Sequence, residues 1–253
     1  MLEIIQTAKA QKEKSIVTDG PDMRPFLQVY RNGKHLCTII VGEVNRDLML
    51  QTAFFARTSL GAEEILMVTD SHCMHLNDND EVKSKELSEQ IREFMKTTRL
   101  GDVFNSPEDH PYKKYITEAL LCVHMKLNDD IKIHTIKYKN LGNEIQWDKN
   151  QIEQPKAEEG YVADVAKEIM KQEYRMKEIA SHIADTIDKL KLIPEKKPSE
   201  KRINEIADLV SYSKFVEYGC IVQINKNNEE NKHMTNGSND LINKTFGLMS
   251  FSS

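Results

Sequence analysis

Two periods of apolar residues run along this chain, and the points where one yields to the other outline its elements. Ile65-Leu66-Met67-Val68 is an unbroken apolar run that stops at Asp70, the pattern of a buried strand with polar residues crowded at its end. Upstream, Leu2, Ile5 and Ala8 recur at spacing three. Lys9, Lys12 and Lys14 fall late in the segment, where cations suit a helix C-terminus, so Leu2 to Lys14 reads as a short helix closed by the turn chemistry of Thr18 to Asp22. Phe26 to Tyr30 and His35 to Val41 flank Arg31-Asn32-Gly33-Lys34. Asn-Gly between two β-rich runs predicts a hairpin with φ > 0 at both turn residues. Asn45 to Leu60 places Leu48, Met49, Thr52, Phe55 and Ala56 near helical spacing, with Asn45 as N-cap and Gly61 as C-cap.

Helical spacing returns in Ser84 to Thr97 through Leu87, Ile91, Phe94 and Met95. Glu118 to Met125 and Ile131 to Tyr138, joined by Asn128-Asp129-Asp130, predict a second hairpin with one wet face, and Glu144-Ile145-Gln146-Trp147 extends that meander. From Glu158 to Leu190 the residues Val162, Val165, Ile169, Met176, Ile179, Ile183 and Leu190 stand three, four or seven apart, which predicts one long amphipathic helix packed back on the domain. Pro194 to Pro198 breaks it. Ser199 then caps a shorter helix through Ile203, Ile206, Leu209 and Val210, and Gly219 to Ile224 reads as a last strand. Beyond Asn225 the chain is polar until Phe246-Gly247-Leu248-Met249-Ser250-Phe251, an apolar end suited to docking.

Together these elements predict an α+β fold: a mostly antiparallel sheet made from two hairpins and a central strand, covered by helices, with a helical C-terminal part. The expected division is a core domain over 1–150, a helical region over 151–224 and a disordered tail over 225–253.

Composition narrows the classes. The 253 residues are 39% hydrophobic and 30% charged, enough apolar surface for a core. A formal net charge of −5 supplies no global field to attract a phosphate backbone, so non-specific nucleic-acid binding is disfavoured and only a local patch is left open. The four cysteines are widely separated and mostly lie inside apolar runs, as small buried hydrophobes in a reducing compartment do. With no basic segment leading an apolar core at the N-terminus and no run near 18 apolar residues, no membrane partner is expected and the cytoplasm is the expected address.

Candidate chemistry is sparse. Asp70, His72 and His75 offer one carboxylate and two imidazoles within six residues, donor types that hold Zn or Fe. The plainer reading is a solvated strand end, which weighs more because isolated His-x-x-His pairs are common. Glu43 follows one strand and precedes a helix; beside Asp70 it would make an acid–base pair, while alone it is a charge favoured by a helix N-terminus. His110 lies in a predicted loop, and His124 and His134 lie in predicted strands, where cross-strand roles are commoner than ligation. No Gly-rich phosphate loop and no G-x-S-x-G elbow occur in the sequence.

The string Leu60-Gly61-Ala62-Glu63-Glu64 before Asp70-Ser71, then Glu118-Ala119-Leu120, then Tyr138 with Gly142 to Trp147, resembles a recurring pattern in uncharacterised bacterial and phage proteins, and it implies no activity. Two functional expectations follow. The first is a non-catalytic interaction or accessory factor of a phage or bacterium, with a protein partner or a second copy engaged through the 158–190 helix. The second is a small metal-dependent hydrolase with Asp70, His72 and His75 as ligands and Glu43 as its base; no particular cofactor is indicated.

Overall fold

In the computed structural model the hairpin at Asn32-Gly33 forms as its turn chemistry dictates: φ is 52° at Asn32 and 71° at Gly33, joining β1 (Phe26–Arg31) to β2 (Lys34–Ile40) in antiparallel register. The residues described are 2–18, 23–42, 45–74, 86, 89–90, 93–94, 97–98, 100–107, 110–128, 131–142, 144–148, 153–154, 161–190, 199–225 and 249–252. The fold is α+β, with helices and a largely antiparallel sheet. No helix among the described residues is long and apolar enough to cross a membrane.

Two compact units divide the chain, and neither follows chain order. One comprises Met1–Met23, Thr69–Cys122 and His134–Pro155; the other comprises Arg24–Val68, Val123–Ile133 and Lys156–Ser253. The contacts therefore do not divide at residue 150. The second unit joins the first hairpin to the C-terminal helices.

In that second unit β3 (Glu64–Met74) contributes its first five residues, which pair antiparallel with β1 from Tyr30↔Glu64 to Phe26↔Val68. Ile65, Leu66, Met67 and Val68 are all buried, as a strand covered on both faces requires. The order continues from β1 to β2, β8 (Ile221–Asn225) and β9 (Met249–Ser252). β9 lies parallel to β8, so the apolar chain end adds an edge strand. Of the expected tail, residues 226–248 lie outside the described residues.

Helix α2 (Arg46–Leu60) starts where Asn45 Oδ1 accepts from the N–H groups of Asp47 at 2.9 Å and Leu48 at 3.3 Å. It ends where Gly61 turns left-handed, φ 63°, and Ala62 N–H reaches back to the Ala56 carbonyl. Its buried face runs through Met49, Thr52, Ala53, Ala56 and Leu60. Phe55, expected on that face, lies outside it and is 40% exposed. The single helix expected over 158–190 is two helices, α4 (Tyr161–Met170) and α5 (Met176–Leu190). The break between them is stabilised by tertiary contacts: Arg175 N–H donates to the Thr58 carbonyl at 2.9 Å, and the Tyr174 ring packs against Gly61. Helix α6 (Glu200–Glu217) packs on α2 and α5, joined by a small cluster of Ala180, Ile206 and Ala207. Arg31 donates a bidentate pair of hydrogen bonds to Asp208 of α6 at 2.9 and 2.8 Å and a third to the Leu60 carbonyl at 3.0 Å.

In the first unit α1 (Leu2–Thr18) extends four residues past its expected end. The sheet order is β6 (Ile145–Trp147), β5 (Lys132–Asn140), β4 (Ile116–Lys126) and β3, with the two-residue β7 (Glu153–Gln154) also on β5. The second hairpin and the meander are thus present, Tyr138 opposite Trp147. A one-turn helix α3 (Leu100–Phe104) and a 3₁₀ turn at Lys113–Tyr115 precede β4. Of the helix expected over 84–97, residues 86, 89–90, 93–94 and 97 are described; all are helical except Thr97, which lies in a turn.

Gly61 is held by two constraints and Gly33 by one. A Cβ at Gly61 would meet the Tyr174 ring at 3.1 Å, whereas one at Gly33 would meet nothing within 4 Å. We expect Gly33→Ala to cost about 1–2 kcal/mol from the left-handed backbone alone. Gly61→Ala adds overpacking of about 1 kcal/mol or more. Urea unfolding of both variants checks this; equal losses would remove the Tyr174 contact from the account.

Candidate functional site

Asp70 does not sit in a loop after β3 but inside the strand, which runs on to Met74. Its carboxylate is already engaged: Oδ1 accepts from the Tyr138 hydroxyl at 2.6 Å, and Oδ2 accepts from Met23 N–H at 3.0 Å and from the Lys12 ammonium. Lys12 is fully buried and also lies 4.8 Å from the centroid of the Tyr138 ring. Its place is set by helical spacing, since among the described side chains of α1 the buried ones are Ile5, Ala8, Lys12 and Ser15. A charge on the buried stripe of a helix demands a counter-charge, and Asp70 supplies it.

His72, two residues on and so on the same face of the strand, packs against the Phe104 ring at 4.6 Å between centroids. His110 sits among Phe94 and Tyr112 and accepts from the Tyr112 N–H at 3.3 Å. His75 and Glu43 lie outside the described residues. Among the described residues no group of three or more His, Cys, Asp or Glu side chains is placed to hold a metal ion. In the second unit, His124 pairs with Glu64 at 2.7 Å, a strand-to-strand contact of the kind expected of it. His134, in the first unit, is a buried β5 residue.

The thiols are poor nucleophiles. Burial pushes Cys122 up to about 12, and burial also raises Cys37, Cys73 and Cys220. A thiol raised in this way stays protonated at neutral pH, and the thiolate is the reactive form. All four cysteines are unpaired.

Chemistry of another kind lies on the second unit. Phe55 of α2 and Tyr218, just past α6, stack at 5.6 Å with 17° between their planes, although 40% and 62% exposed. They border a groove of about 300 Å³ whose floor includes Phe54, Met176 and Phe215. Arg175 and Lys214 stand at it as cations. Ser211 Oγ lies 2.8 Å from the Ser59 carbonyl of α2 and 2.7 Å from the Ala207 carbonyl of its own helix, so its one hydroxyl proton is shared between them where α6 meets α2. Periodicity alone did not single out this site, because it assigns Phe55 to the buried face and says nothing of Tyr218. The available signal is that Phe54 and Phe55 are adjacent on a helix, so one of them must leave the core stripe.

Comparison with known protein families, curated proteins and solved structures finds no match to this chain.

The burial of Lys12 makes Asp70 a stability residue. Asp70→Ala leaves an uncompensated buried ammonium, for which we expect a loss of about 3–5 kcal/mol. Glu13→Gln, which alters only an exposed acceptor of the Trp147 indole N–H, is expected to cost below about 1 kcal/mol. Urea unfolding of the two variants side by side distinguishes them; similar small losses would mean that Lys12 is not buried by this pair.

Proposed function

We propose that this protein is a non-catalytic interaction factor whose partner docks in the groove bordered by Phe55 and Tyr218. The carrying observation is the stacked, solvent-facing aromatic pair over an apolar floor, since large aromatic side chains held rigid at a surface are the residues that most often anchor protein partners. Charge complementarity selects the occupant. Arg175 and Lys214 at the groove favour a segment that carries apolar side chains with carboxylates beside them. Lys214 is paired with Glu217 at 2.7 Å, but both are exposed, and such surface pairs are weak enough to be exchanged for a partner's carboxylate.

The segment 158–190 takes part in this reading through Met176 and Arg175 rather than as one continuous seam. The metal-hydrolase alternative draws no support from Asp70, whose two oxygens already accept three donors. Four unpaired cysteines with raised thiols support a reducing compartment, for which the cytoplasm is our proposal. A phage or bacterial setting rests only on the loose pattern between Leu60 and Trp147.

The test uses synthetic amphipathic peptides with Leu and Phe at helical spacing, flanked either by Glu or by Lys, titrated against the full chain by fluorescence anisotropy. The Glu-flanked peptide is expected to bind at micromolar concentration, and Phe55→Ala with Tyr218→Ser to weaken it at least about tenfold, the scale of a lost aromatic anchor. Equal binding of both peptides, or binding unaffected by the double variant, would discard the groove as the docking site.

A further inference from the structure

Strand β8 is fixed in the second unit without help from β9. On its β2 side it pairs antiparallel from Cys37↔Ile224 to Ile40↔Ile221, and the Asn225 side-chain amide donates to the His35 carbonyl at 3.1 Å, just past the last of those pairs. Before its start Gly219 turns left-handed, φ 78°, and Cys220 N–H donates to the Phe215 carbonyl at 3.0 Å, which ties the strand to the end of α6. Val222 and Ile224 are buried. A strand anchored in this way presents the N–H and C=O groups of its other edge at fixed positions, a template for a further strand.

β9 meets that edge with four residues, from Val222↔Met249 to Asn225↔Ser252. It runs parallel to β8, whereas β1–β2, β1–β3, β2–β8 and β5–β6 are antiparallel, and parallel pairing is slightly less stable per residue. The register sets Met249 and Phe251 opposite the two buried residues of β8, and Ser250 and Ser252 opposite Gln223 and Asn225, so the segment matches the edge by alternation as well as by backbone pairing. The 23 residues 226–248 separate the two strands in sequence. A tether holds such a segment at an effective concentration on the order of 1 mM. A four-residue strand held through it competes with a segment from another chain and does not exclude it.

We propose that the outer edge of β8 is a strand-addition site, held in cis by β9 and taken in trans by an extended segment of a protein partner with the same alternation, an apolar residue at every second position and small polar residues between. In strand addition the main chain supplies affinity and alternate side chains supply specificity. The segment seated on β8 displays the alternation that fits, and its short parallel pairing makes it the replaceable member, while β8 stays anchored to β2 and α6 when it leaves. The proposal is independent of the Phe55–Tyr218 groove, and either can fail without the other.

A fluorescein-labelled peptide with the sequence of residues 247–253 tests this, titrated by anisotropy against the full chain and against the full-length variant Ser250→Pro with Phe251→Pro. Successive N–H groups of a strand point to opposite edges, so two adjacent prolines remove one that faces β8 in either phase and release β9. The peptide is expected to bind the variant at least about tenfold more tightly than the natural chain, the ratio that a cis competitor at ~1 mM imposes on a site of ~100 μM affinity. A peptide carrying the same two prolines is expected not to bind. Hydrogen exchange localises the effect: in the variant the β8 amides that face β9 are expected to lose protection and to regain it with the peptide, while the β1 amides stay protected throughout. In the natural chain, where no substitution can disturb folding, the same β8 amides are expected to exchange faster than those of β1. Equal affinity for the natural chain and the variant, binding by the proline peptide, or β8 amides as slow as those of β1 in the natural chain would overturn the proposal. So would a dimer of the natural chain in sedimentation that the variant does not form, which would give the edge to a second copy instead of a partner.

Discussion

Four consecutive side chains excluded from water, Ile65 to Val68, impose the main constraint on the fold. Alternate residues of a strand face opposite ways, so an all-buried run needs cover on both faces and a neighbour on its edge. Each such side chain contributes roughly 1.5–3 kcal/mol when buried, and the covering elements must supply apolar surface of their own. β1 meets this demand with Leu27 and Val29, both buried and in antiparallel register with β3. Helix α2 packs on β1, and α4, α5 and α6 pack on α2. The C-terminal helices are therefore part of the cover of the hairpin unit rather than an appendage.

Where the cover includes a charge, the structure answers with a partner. Arg31 and Asp208 neutralise one another inside one unit, and Lys12 and Asp70 inside the other. Such pairs do little for net stability, because taking two charges out of water offsets most of their attraction, but losing one member is costly. Their consequence is positional. Asp208 fits only if α6 lies against the end of β1, and Lys12 fits only if α1 crosses β3 at Asp70. A polar constraint of this kind selects one arrangement among several that would bury similar apolar area.

Much of the fold was legible because turn and cap chemistry is local. Asn32-Gly33, Asn45 and Gly61 each specify a backbone geometry by their own side chain or its lack, and each holds in the structure. The long helix failed for the opposite reason. Ile169 and Met176 stand seven apart, a step compatible with an unbroken helix, yet Tyr174 and Arg175 find partners at Gly61 and Thr58 that reward a break. Those partners are more than a hundred residues away in the sequence, where periodicity does not reach. Lys12 was legible but misread. Its late position in α1 suggested a helix-dipole role, while its spacing from Ile5 and Ala8 placed it on the buried face, and burial decides the chemistry of a lysine more than the dipole does. Asp70 was singled out as a carboxylate after an apolar run, while the partners it bonds, Lys12, Met23 and Tyr138, stand 58, 47 and 68 residues away in sequence, where a local pattern does not reach.

The same contrast separates a reactive centre from a binding surface. Catalysis needs a group left poised, with an unfilled coordination position, a displaced pKa near neutrality or a hydrogen bond completed only by substrate. Asp70 already accepts three donors from its own protein, and burial raises the cysteine thiols. Binding needs something else: surface whose exposure is costly and whose geometry is maintained. Phe55 and Tyr218 expose large rings that stack on each other where α2 and α6 pack together. Trp147 is likewise fixed, at its N–H edge by Glu13 and at its ring by Tyr138. The cost of ordering such side chains is met by the fold itself, so a partner of the kind we propose for the Phe55–Tyr218 groove would lose less entropy on docking, and preorganisation of that kind is what turns a few aromatic residues into affinity.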